Sequence, residues 1–171
     1  MKEITITIDG EEYIAVKKHW PESAGKPWTG YERCVDGATC LVDTGYRGYK
    51  EIRGFGEDAD DGAFDNGNYY NEEILAENVV RADTLMRKLR QWQALNDEPV
   101  DWSDAETNKW RIGYNYDGKD FYVDLNSTYR HFGQIYFSSY AKANEAIEVF
   151  HDELTWYFTE YQQRLDEPKR N

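Results

Sequence analysis

The stretch from Lys109 to Tyr161, KWRIGYNYDGKDFYVDLNSTYRHFGQIYFSSYAKANEAIEVFHDELTWYFTEY, constrains the fold of this chain more than any other. Trp110, Ile112, Tyr114 and Tyr116 alternate with polar or small residues, the period of a strand with one buried face. Asp117-Gly118 supplies the turn, and Phe121, Val123 and Leu125 line the same face on the return. Ile135 to Phe137 forms a brief third run. Ser138 or Ser139 then caps a helix whose Ala143, Ala146, Ile147, Phe150, Leu154, Tyr157, Phe158 and Tyr161 form one apolar stripe. The polar tail from Gln162 is expected to fray. Local signals that agree at every level mark a unit able to fold.

The rest of the chain follows the same logic. Ile4, Ile6 and Ile8 alternate with threonines, Asp9-Gly10 turns, and Tyr13, Ile14 and Val16 return, which predicts a hairpin. Residues His19 to Gly30 (two Pro, two Gly, two Trp) read as a loop pinned by Trp20 and Trp28. The β-prone pieces Tyr31 to Val35, Thr39 to Asp43 and Tyr49 to Arg53, separated by glycines, predict a small antiparallel sheet. Gly56 to Tyr70 is rich in Gly and Asp and reads as an exposed loop. From Asn71 to Asn96, Leu75, Val79, Ala82, Leu85, Met86, Leu89 and Trp92 recur at helical spacing. Asn71 is the expected cap, and Arg87, Lys88 and Arg90 suit the negative C-terminal end. Val100 to Thr107 is a connector that Trp102 can anchor.

The expected fold is therefore α+β: an N-terminal antiparallel β module over 1–56, an acidic loop over 57–70, and a helix plus ββα module over 71–171. The last module comprises a long amphipathic helix, a β-hairpin and a C-terminal amphipathic helix. With 40% apolar and 16% aromatic residues the chain has material for a core, which excludes a disordered protein.

The net charge of −13 repels nucleic acid and anionic membrane and attracts basic partners. It is uneven: 17 acids oppose 8 bases up to Val80, 3 oppose 4 from Arg81 to Val100, and 13 oppose 8 beyond. Cys34 and Cys40 are too few for a disulfide scaffold or a zinc site and read as reduced and mostly buried. No apolar run has the length of a membrane span, and the N-terminus lacks the apolar core of a signal peptide, so a cytoplasmic protein is expected.

Catalytic signals are lacking. His19, His131 and His151 show no metal-ligand spacing, and no nucleophile elbow, P-loop or dinucleotide fingerprint occurs. No cofactor, metal or catalytic residue is expected. The acidic segment fails as an EF-hand, because a loop begun at Asp58 places Gly62 at the fifth position, where a ligand belongs. It reads instead as a partner-binding surface. Glu57, Asp58, Asp60, Asp61 and Asp65 lie within nine positions and oppose the Lys and Arg of a partner, while Phe64, Tyr69 and Tyr70 anchor the contact. The alternative is a solvated loop that serves solubility. Arg81, Arg87, Lys88 and Arg90 are read as balancing nearby acids.

The segments RADTLMRKLRQWQALNDEPVDW, KWRIGYNYDGKDFYVD and FGQIYFSSYAKANEAIEVFHDELTWYFTEY resemble small acidic accessory proteins of phages and prophages of Gram-positive bacteria. The resemblance covers about Asn71 to Tyr161 and transfers no catalytic residue. It implies an anti-defence role of the anti-CRISPR type: a DNA mimic that occupies the basic channel of a Cas nuclease or its guide-RNA complex, Cas9 foremost. The expected partner is a basic host protein, with no direct DNA binding. The alternatives are an adaptor for a non-defence partner, with homodimerisation through the C-terminal helix, or an enzyme whose site the sequence hides.

Overall fold

A computed structural model describes residues 4–8, 11–15, 29–34, 38–45, 48–53 and 58–169, with side chains for all of these but 4–15, 53 and 58–60. The architecture is α+β. The N-terminal hairpin forms as expected: β1 (Ile4–Ile8) pairs antiparallel with β2 (Glu11–Ala15), Ile4 opposite Ala15 and Ile8 opposite Glu11. The loop anchors Trp20 and Trp28 lie outside the described residues.

A second sheet has β3 (Thr39–Asp43) at its centre, with β4 (Tyr49–Arg53) on one side and β5 (Tyr69–Tyr70) on the other, all antiparallel. The β-prone piece beginning at Tyr31 is not a strand over its described residues 31–34. Glu32 governs it instead: its carboxylate accepts from the Thr29 hydroxyl at 2.7 Å and from the backbone N–H of Thr29 and Gly30 at 2.9 and 3.0 Å. Burial alone would raise the carboxyl's pKa, but these bonds hold it below the ordinary glutamate value.

Helix α1 (Asp58–Asp65) precedes β5, and α2 (Glu73–Asn96) follows it. Asn71 does not cap α2. The N-cap is Glu72, without a side-chain bond, and Asn71 is buried, donating from Nδ2 to the Glu32 carbonyl at 2.7 Å and from its own N–H to Gly30 at 3.0 Å. Arg87, Lys88 and Arg90 also fall short of the last turn, which carries no cation. At the far end Asp97 follows the helix, and its carboxylate accepts the N–H of Ser138 at 2.9 Å.

The third sheet is the hairpin of β6 (Lys109–Asn115) and β7 (Asp120–Asn126). Its register sets Trp110 opposite Leu125, Ile112 opposite Val123 and Tyr114 opposite Phe121, the predicted face, but Leu125 near its end is exposed rather than buried. Tyr116 lies beyond the strand, in the turn of residues 116–119. Phe137 docks on the edge through paired backbone bonds with Trp110, at 3.1 and 2.7 Å.

The expected single C-terminal helix is two: α3 (Tyr140–Val149), capped by Ser139, and α4 (His151–Thr159). Phe150 ends one and begins the other with φ −111° and ψ 20°, and no Pro or Gly marks the break in the sequence. The tail is tied in at Gln163, whose carbonyl accepts from the Tyr31 hydroxyl at 3.4 Å.

Two cores share α2. Its first turns bury Leu75 and Ala76 with Leu41 and Tyr70 of the β3 sheet. Its middle buries Leu85 and Leu89 with Phe137, Ala143, Ala146 and Leu154. Each fully buried leucine contributes about 1.5–3 kcal/mol by leaving water. Residues 39–53 therefore share a core with residues 69–76 rather than closing on themselves.

Candidate functional site

The segment read as an acidic loop is structured. Residues 58–65 are helical and Tyr69–Tyr70 is a strand. Gly and Asp are poor interior helix formers, but the aspartates of Asp58, Asp60 and Asp61 fall in the first turn, where the helix dipole favours anions. The end is set by Asn66-Gly67: Gly67, with φ +71°, donates its N–H to Phe64 at 3.0 Å, and Asn68 donates to Ala63 at 3.1 Å. That is the Schellman arrangement, with glycine in the left-handed position it favours.

The described residues among the eight expected to meet a partner do not form one exposed surface. Glu57 lies outside the described residues, and Asp58 and Asp60 are placed by backbone alone. Asp61 is ion-paired with Arg33 of the same chain, and the Arg33 guanidinium also sits 4.2 Å from the centre of the Phe64 ring. Arg33 thus occupies both the acid and the aromatic proposed for a partner's cation. Asp65 is exposed.

Tyr69 and Tyr70 are corrected from anchors to core residues, 4% and 1% exposed. The Tyr69 hydroxyl donates to Cys40 Sγ at 2.8 Å and accepts the Cys34 N–H at 3.3 Å, while the Tyr70 ring packs 5.5 Å from Tyr31. Burial pushes the Tyr70 phenol above its ordinary pKa. Cys34 and Cys40, read as reduced, are joined as a disulfide that ties the Glu32 loop to β3. Trp156, which would be exposed were α4 an interface, is 8% exposed beneath Arg81, whose guanidinium lies 4.0 Å above the ring and pairs with Glu153 at 2.9 Å.

The remaining concave features lie elsewhere. Arg87 and Lys88, with Thr84 and Gln91, line a cleft of about 340 Å³ against Gly45 and Gly48 of the β3–β4 turn. A narrow apolar crevice of about 100 Å³ runs between α2, α4 and the hairpin, lined by Met86, Ile112 and Tyr157 among others. An open cleft of about 480 Å³ at the hairpin tip combines Tyr114, Tyr116 and Tyr122 with Asn115, Asp117 and Asp120. Of these three, the last combines acids and rings as expected of the 57–70 segment. The sequence signal was present as YNYDGKDFY, but the alternation rule assigned Tyr114 and Tyr116 to the buried face.

Among the described residues no group of three or more His, Cys, Asp or Glu side chains is placed to hold a metal ion. No helix among them is long and apolar enough to cross a membrane. No family model, curated protein or solved structure matches this chain.

Proposed function

We propose that this chain is a non-enzymatic binding protein of a phage or mobile element that inhibits a host CRISPR-Cas nuclease, Cas9 foremost, by presenting acidic surface to a basic nucleic-acid channel. The observation that supports this reading is the uncompensated charge. The chain has 33 acids against 20 bases, and among the described residues five Lys or Arg side chains are committed to ion pairs with carboxylates. Among the described residues, exposed carboxylates such as Glu77, Asp83, Asp117 and Asp120 have no cation within ion-pair distance, the condition for long-range attraction to a basic surface.

The mimicry does not rest on the 57–70 segment alone, since Asp61 is occupied by Arg33. It draws on dispersed acids, including the exposed Glu73, Glu77 and Asp83 of α2 and the hairpin-tip aspartates. Plasmid cleavage by Cas9 loaded with guide RNA, with the purified protein in excess, tests the proposal. Cleavage should fall, and the inhibition should weaken as salt screens the attraction. Undiminished cleavage by Cas9 orthologues from several Gram-positive hosts would exclude that target. Capture from lysate of a basic protein that is not a nuclease would favour the adaptor alternative.

A further inference from the structure

We infer that the tip of the β6–β7 hairpin is a receptor for one cationic side chain, an arginine presented by the basic partner. The inference rests on the reading that the partner is basic, and it names where and how contact is made. Three observations carry it.

The aromatic wall is anchored from within. Tyr114 stacks on Phe158 of α4 with centroids 5.6 Å apart and planes at 12°, and Tyr116 meets Tyr114 edge-on at 5.3 Å. The array thus runs from the core outward to a ring that is 48% exposed. Tyr122, equally exposed, lies over Gly113 on the facing strand: a Cβ at 113 would fall 2.4 Å from the Tyr122 ring. Both exposed tyrosines are held in place before any ligand arrives, which lowers the ordering cost of binding.

One carboxylate, that of Asp120, is similarly placed. Asp120 and Asn115 close over the bare Gly118, where a Cβ would lie 2.3 Å from Asp120 Oδ1 and 2.8 Å from Asn115 Nδ2. The Asn115 side-chain oxygen accepts the N–H of Asp117 at 3.1 Å.

The local cations do not neutralise the tip. Arg111 is committed to Asp124, with contacts of 2.9 and 2.5 Å, and Lys109 is fully buried. Lys119 is the one cation of the turn, and among the described residues neither it, Asp117 nor Asp120 forms an ion pair. Rings whose faces attract cations, set beside two carboxylates, match a planar guanidinium that stacks and donates at once. An anion is repelled by the same groups, and a cleft of 480 Å³ takes a side chain rather than a helix.

The test is an amide NMR titration with the probe acetyl-Gly-Arg-Gly-amide and its citrulline counterpart, which keeps the shape and removes the charge. Saturable shifts at residues 115–122 with the arginine peptide, and none with citrulline, are expected. Tyr116→Ser and Asp120→Asn, both exposed and therefore tolerated by the fold, should each weaken binding about fivefold, the loss of one exposed cation contact. Shifts spread over the acidic surface without saturation at the tip, or none at all, would overturn the inference, as would unchanged affinity in both variants. Nuclease inhibition separates the two readings. Variants that lose the peptide but inhibit like the parent remove the tip from the contact and leave the function standing. Saturable binding at the tip by a protein that inhibits no nuclease does the reverse.

Discussion

Lys109 is the side chain whose loss the structure predicts most sharply. It begins β6, is 0% exposed, and donates from Nζ to the carbonyls of Asp104 at 2.5 Å and Ser127 at 3.0 Å. The Trp102 ring lies 5.4 Å from the same nitrogen. One ammonium thereby clamps the 101–108 connector and the loop after β7 onto the strand. Lys109→Met keeps the stem volume and removes the donor. Two hydrogen bonds to a charged group contribute roughly 1.5–3 kcal/mol each. These figures are already net of taking the donor out of water, and the carbonyl of exposed Asp104 regains water in the variant, so the loss is close to one bond's worth. The net destabilisation should be about 2–3 kcal/mol. For a chain of this size that lowers Tm by roughly 5–10 °C. Urea unfolding measures it, and amide exchange should show Ser127 to Tyr136 losing protection before the helices do. A variant within about 0.5 kcal/mol of the parent, a typical surface effect, would refute the clamp and leave Lys109 a desolvated charge of no net benefit.

Gly30→Ala should be costly, because Gly30 has φ +84° and an added Cβ would stand 2.5 Å from the Leu75 side chain. Left-handed strain and overpacking together predict a loss of roughly 2–4 kcal/mol by denaturant unfolding, and a loss below 1 would show that the loop moves away freely. The Tyr49 hydroxyl donates to Glu73 at 2.7 Å, and that bond, chiefly, pushes its pKa up to about 12. The neutral phenol is the form favoured by folding. Its contribution is complete below the unfolded value of about 10 and is lost as pH rises through the folded one. Ultraviolet titration should show several tyrosines ionising late, Tyr70 among them, and Tyr49→Phe should reduce their number by one; an unchanged number would sink the assignment.

The legible parts of this fold were those with a period. The β6–β7 face was readable because Trp110, Ile112 and Tyr114 meet Leu125, Val123 and Phe121 in the register that alternation implies. The buried side of α2 was readable for the same reason at helical spacing. Short elements fared worse. Helix α1 has only eight residues, and its aspartates look like loop composition unless their place at the helix start and the glycine at 67 are weighed together. Tyr69 and Tyr70 are adjacent and both buried, which neither a one-sided strand nor a loop predicts. Of the candidate site, the composition was legible and the location was not. Arg33, 28 positions from Asp61, satisfies the acid from a distance that no local pattern records. The hairpin tip was hidden by extending the strand one residue too far, to Tyr116.

The sharing of α2 between two cores bears on how such a chain can evolve. A helix of 24 residues spans roughly 36 Å, and its first turns and its middle are committed to different neighbours. A recombination event between the β3 sheet and the helix would leave Leu75 and Ala76 facing a foreign sheet, and Leu41 and Tyr70 without cover. Exchange of the N-terminal part is therefore tolerated only if the incoming piece brings its own first turns of helix. The seam for shuffling lies inside α2, near Val80 to Ala82, rather than in the glycine-rich connections that precede it.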